Sequence, residues 1–128
     1  MRIALGAACL LLGTATPAMA TGGFECRPIS GAGPIVRMGI GHTVSARPFS
    51  VTLTEGRQTL STTGDRPALA LGQSWFDERH LWLDLTDPNV MRIEAKLRAT
   101  FQPRLRGRPA IGTLVRGGRT WRVRCVEA

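Results

Sequence analysis

Two cysteines, Cys26 and Cys125, stand near the two ends of everything that follows residue 20 in this 128-residue chain. They lie 99 residues apart. A bond between them requires their Cα atoms to come within about 7 Å. The first and last segments must then be neighbours, whatever lies between. Closing a loop that long stabilises a fold by roughly 4–5 kcal/mol in the chain-entropy model. The spacing suits neither a zinc site nor a redox dithiol, because no CxxC occurs and the chain holds two histidines. A structural disulfide is the expectation, and with it an oxidising compartment.

The start of the chain points the same way. Residues 1–20 read MRIALGAACLLLGTATPAMA: one positive residue, Arg2, an apolar run from Ile3 to Leu12, then small residues ending in Ala18-Met19-Ala20. That is the layout of a signal peptide with cleavage before Thr21. The apolar run is about half the roughly 20 residues that span a bilayer, so no transmembrane segment is expected in the mature chain. Residues 21–128 are the length of one small secreted domain. With sixteen arginines and one lysine, the composition suggests a bacterial periplasm, with secretion outside the cell as the alternative.

Short apolar stretches recur between Gly, Pro, Asp and Ser, which predicts many short strands. Phe24 to Ser30 reads as a first strand carrying Cys26, and Pro34 to Ile40 as a second. Arg47 to Glu55 alternates, with Phe49, Val51 and Leu53 on one face. QTLSTT and Pro67 to Phe76 read as further strands. In His80 to Thr86, three leucines share one face while Trp82 and Asp84 share the other. Asp87-Pro88-Asn89 is a turn signal. The segment 90–101 is two-sided in character. Period-two alternation turns Met91, Ile93, Ala95, Leu97, Ala99 and Phe101 inward and Arg92, Glu94, Lys96, Arg98 and Thr100 outward. Its composition also suits a helix capped by Asp87. The strand is preferred because it can pair as a hairpin with the segment before it.

The stretch from Gly112 to Glu127, GTLVRGGRTWRVRCVE, turns on Gly117-Gly118, which can adopt the positive φ angles of a two-residue hairpin turn. Such a turn sets Leu114 opposite Trp121 and Gly112 opposite Val123. Trp121, Val123 and Cys125 then face inward, and Arg122 and Arg124 outward. Ile111 and Val115 fall on the arginine side, which a bulge or longer loop would repair; the alternative is that both faces are partly covered. The fold expected is all-β: a small antiparallel sandwich or partly closed barrel of about seven or eight short strands, its first and last strands joined by the disulfide.

Charge is unevenly placed. Residues 21–94 hold seven arginines and eight acidic residues, whereas residues 95–126 hold nine basic residues and no acidic one. Arg104, Arg106, Arg108, Arg116, Arg119, Arg122 and Arg124 are the candidate anion-binding residues, since guanidinium forks suit phosphates and carboxylates. The partner expected is an anionic envelope component or an acidic protein. Nucleic acid fits that compartment poorly. The plainer alternative is a solvated arginine face.

A second cluster, Asp77, Glu78, His80, Asp84 and Asp87, offers a metal-binding or acid–base alternative. On a strand, His80 and Asp84 lie about 13 Å apart, too far for one metal or a dyad, though Asp77 and Glu78 in the preceding turn can come nearer. No GxSxG, HExxH or P-loop occurs. No catalytic residue, metal site or cofactor is assigned. Trp75, Trp82 and Trp121 can stack sugars or bases; Trp121 alternates with core positions, and Trp82 opposes the leucine face. The leading expectation is a non-enzymatic binding protein, with an inhibitor-like or structural subunit docking on an envelope protein as a further alternative.

Overall fold

The computed structural model describes residues 22–41 and 48–128. The expected leader, its cleavage site, Arg47 and His42 lie outside the described residues. Nine strands run in chain order: β1 (Gly22–Pro28), β2 (Ile35–Ile40), β3 (Pro48–Glu55), β4 (Gln58–Ser61), β5 (Ala70–Phe76), β6 (His80–Thr86), β7 (Ile93–Phe101), β8 (Ala110–Arg116) and β9 (Arg119–Glu127). They form one sheet in the order β4-β3-β2-β1-β9-β8-β7-β6-β5, and every pairing is antiparallel. The architecture is a nearly closed barrel rather than a sandwich.

The strand directions show how the sheet comes close to closing. Every hairpin reverses the chain, and β1 meets β9 antiparallel. Working round the sheet from that pair, β4 and β5 must point the same way. They are the two edges of the sheet, the first paired to β3 and the second to β6. Leu69 N donates to Ser61 O at 3.1 Å where the two edges approach each other. The nine strands exceed the seven or eight expected from the sequence. The nearly closed sheet wraps around an interior filled by side chains. Here Val36, Val51, Leu53, Leu83, Leu97, Leu114 and Val123 fill it.

Cys26 sits directly opposite Cys125 in the β1–β9 pair. The two are bonded, with Cα atoms 3.9 Å apart and both residues fully buried. The bond joins the first and last strands, as the spacing requires, and fits an oxidising, extracytoplasmic environment.

The final hairpin has the expected register, Leu114 opposite Trp121 and Gly112 opposite Val123. Gly117 and Gly118 both have positive φ, 57° and 73°, as a type I′ turn requires. No bulge moves Ile111 or Val115; both stay on the outer wall, partly exposed. Gly112 is needed for another reason: a Cβ there would lie 1.9 Å from Arg98 O.

Bulges account for the misplaced residues. Gly39 pairs with Ser50 but Ile40 pairs with Pro48, so Phe49 is the extra residue and turns outward, 56% exposed, instead of joining Val51 and Leu53. Segment 90–101 is a strand from Ile93 onward, and Ala95, Leu97 and Ala99 are buried as expected. The alternation fails before Ala95, because the register shifts between Leu85 and Thr86. Met91 and Ile93 are consequently exposed. The helix alternative is excluded.

Candidate anion-binding face

The barrel has two ends. One carries residues 22 and 128, the turn 77–79 and the loop 102–109; the other carries the turns at 56–57 and 117–118 and the loop 87–92. The seven arginines singled out from the sequence distribute over both ends and the wall between them. Arg104, Arg106 and Arg108 lie exposed in the loop 102–109. Arg116 and Arg119 lie at the opposite end, about 20 Å away along β8.

Arg116 has the same parity as Ala110, Gly112 and Leu114, so it points into the barrel mouth. Its side chain is only 17% exposed, and Arg116 Nε donates to Glu55 Oε1 at 3.2 Å. Its Nη1 is buried without a partner. Arg119 stacks over the Trp121 ring, 4.9 Å from its centre. Of the seven, only Arg122 and Arg124 stand on the outer wall, and both are exposed. Apart from Arg116, none of the seven has an ion-pair partner among the described residues.

The outer wall brings other residues to those two arginines. Arg122 pairs across to Thr113, Thr113 to Arg98, Arg98 to Trp82, and Trp82 to Trp75. One belt thus crosses five consecutive strands, β9 to β5, and spans about 19 Å of curved sheet. A parallel row runs Arg124, Ile111, Thr100, His80, and another runs Thr120, Val115, Lys96, Asp84. Arg124 also stands opposite Arg27 of β1. Arg27 and Arg37 both bind Glu25, and these contacts hold Glu25 below the usual carboxylate range.

Several contacts fix the β5–β7 part of the belt. Trp75 is 59% exposed and Trp82 38%. Trp75 Nε1 donates to Asp77 Oδ2 at 2.7 Å. The other Asp77 oxygen accepts from Arg79 N and His80 N. His80 Nδ1 lies 3.0 Å from both carboxylate oxygens. The His80 contact, then the Trp75 indole and the Arg79 amide, hold the Asp77 carboxyl well below its usual range. The His80 ring meets Trp82 edge-on with centres 4.8 Å apart.

Arg98 lies over the other side of the site, 5.4 Å from the Trp82 ring centre. Its Nη1 donates to Asp84 Oδ1 at 2.9 Å and to Leu97 O at 2.8 Å. Asp84 is on the outer side of β6, yet its side chain is only 10% exposed. The register shift in β5 sets Gly72 and Gln73 against this one residue. Gly72 has no side chain, so β5 closes over Asp84; a Cβ at Gly72 would sit 3.1 Å from Asp84 Cβ. Gly72, Gln73, Ser74, Trp75, Trp82 and Arg98 line an open groove of about 490 Å³.

The acidic cluster is therefore dispersed. Asp77 secures the turn before β6, Asp84 holds Arg98, and Asp87 accepts from Met91 N and Arg92 N at 2.7 and 2.8 Å in the next turn. Among the described residues no three His, Cys, Asp or Glu side chains come together as a metal cage needs. Arg98 is the charged member of the belt that the sequence does not single out as an anion-binding candidate. Alternation in 90–101 already turned Arg98 outward, but its position beside Trp82 depends on a register that includes a bulge.

Comparison of the chain with known protein families, with curated proteins and with solved structures found no match.

Proposed function

We propose that this chain is an exported, non-enzymatic binding protein of the bacterial periplasm, or of the cell exterior, that takes an anionic envelope component on the outer belt of β5 to β9. The observation that carries this reading is the cross-strand row Arg122–Thr113–Arg98–Trp82–Trp75. It sets guanidinium groups and exposed indoles side by side on neighbouring strands. Arg124 and Lys96 extend the positive field above and below it. Two acidic residues beside the belt are already committed, Asp84 to Arg98 and Asp77 to Trp75 and His80. Charge-assisted hydrogen bonds would hold the partner, and the field of residues 21–128, net +7, would speed its approach.

Binding of the oxidised chain to lipopolysaccharide and to heparin tests the reading. Arg122→Gln together with Arg124→Gln weakens both, whereas replacing Arg104, Arg106 and Arg108 by glutamine at the barrel end leaves both nearly unchanged. Equal loss from the two sets would move the site off the belt. Undiminished binding in the Arg122/Arg124 variant would leave the arginines as a solvated face.

A further inference from the structure

We infer that the groove between Trp75, Trp82 and Arg98 is a sugar-ring subsite, and that the anionic partner is a linear acidic polysaccharide bearing carboxylates. This rests on the binding reading above and narrows it to one ligand class.

Three features of the groove lead there. The first is the presentation of the indoles. Trp75 and Trp82 are cross-strand neighbours on the outer wall. Exposing two large apolar rings side by side is costly in water unless something covers them. The Trp75 N–H is already bonded to Asp77, so that ring offers its faces and little polar edge. A flat ring with C–H groups on one side and hydroxyls at its rim suits such a platform. The exposed Gln73 beside it supplies an amide for hydroxyls.

The second feature is the guanidinium of Arg98. Both Nη1 hydrogens are directed within the protein, to Asp84 and Leu97 O. The Nε and Nη2 donors have no partner among the described residues. That edge is a planar fork with the spacing of a carboxylate. Asp84, almost fully buried, fixes the fork's orientation, so little side-chain freedom remains to be lost on binding.

The third is the continuation of the belt. Arg122 lies two strands beyond Arg98 in the same row, about 10 Å along the wall. A ligand with one ring and one charge would use the groove alone. A polymer with repeating rings and carboxylates uses the groove and then Arg122 and Arg124. An oligonucleotide also has rings and charges, but its anions are backbone phosphates, and the oxidising environment indicated by Cys26–Cys125 favours a glycan.

The test uses the oxidised full chain and four probes: oligogalacturonate, polyphosphate and single-stranded DNA of matched charge, and neutral dextran. Affinities are measured by calorimetry, with tryptophan fluorescence as a second signal. Oligogalacturonate is expected to bind most tightly and to change the fluorescence. Trp75→Ala or Trp82→Ala weakens it about tenfold, as the loss of a central aromatic anchor does, and Trp75→Phe retains most of the affinity. Polyphosphate affinity is unaffected by the tryptophan substitutions. Salt-dependent binding of oligogalacturonate and polyphosphate alike, sensitive to Arg122 and Arg124 but not to Trp75 or Trp82, would overturn the sugar subsite and leave the anion-binding belt standing. Tighter binding of the oligonucleotide, lost in the same tryptophan variants, would overturn the glycan assignment. Binding to none of the polyanions would overturn both readings.

Discussion

Glu55 and Arg116, 61 residues apart in the chain, meet at one mouth of the barrel, with Arg116 Nε donating to Glu55 Oε1 at 3.2 Å. Both have inward parity, one ending β3 and the other ending β8. The pair lies over the leucine and valine core as a polar plug. The arginine is the more deeply set partner, 17% exposed against 37% for the glutamate.

That asymmetry predicts unequal costs. Glu55→Ala leaves a half-buried guanidinium without its counter-charge and should lower stability by about 1–2 kcal/mol, reduced from the fully buried case by the water that reaches Glu55. Arg116→Met leaves a glutamate that can turn to solvent, and removes the unpartnered Nη1. It should cost less. Urea denaturation of the two variants and the double variant gives the order directly. A larger loss in Arg116→Met would contradict the plug.

The disulfide joins β1 to β9, the pair that closes the sheet on the far side from the β4–β5 break. Replacing Cys26 and Cys125 together by alanine should cost roughly 4–5 kcal/mol, mainly through the freed ends of the unfolded chain. The β1–β9 ladder remains hydrogen-bonded in the native state, so far-ultraviolet circular dichroism of whatever fraction stays folded should be unchanged. Loss of the β signal at full folding would show that the bond shapes the sheet rather than securing it.

Acid should weaken the turn before β6. In the folded chain Asp77 holds its carboxylate below the ordinary value of 3.8, through His80, Trp75 and Arg79. The unfolded chain takes up this proton first as pH falls. The stabilisation is therefore complete above the ordinary carboxylate range and is lost as pH drops through it toward the folded value. The melting temperature of the parent protein should fall more between about pH 6 and about pH 2 than that of Asp77→Ala. Trp75 fluorescence should hold over that range for as long as the chain stays folded, because the depressed Asp77 carboxyl keeps its charge there, and should change only with unfolding. Parallel melting curves for the two proteins would contradict this assignment.

How much of this was legible beforehand differs element by element. Cys26 and Cys125 announced the juxtaposition of the chain ends because a loop constraint needs no knowledge of what it encloses. Gly117-Gly118 fixed the last hairpin to the residue, since a two-residue turn with positive φ permits one register. The outward positions of Arg98, Trp82, Arg122 and Arg124 followed from period-two alternation. Phe49, Met91 and Ile93 depart from period-two alternation because each adjoins a bulge, and one extra residue reverses the face of those that precede it. The seven candidate arginines are close in sequence but not all close in space. Strand length carried Arg104, Arg106 and Arg108 to one end and Arg116 and Arg119 to the other. The belt itself depends on partners from β5 and β6, whose register no local signal gives.

The most direct measurement is heparin affinity of the oxidised chain across a salt series, for the parent protein and for Arg122→Gln/Arg124→Gln. The belt predicts an affinity that falls steeply with salt in the parent, as counterions compete for the guanidinium groups, and a weaker, shallower dependence in the variant. Affinity that ignores salt, or two superimposed curves, would contradict it.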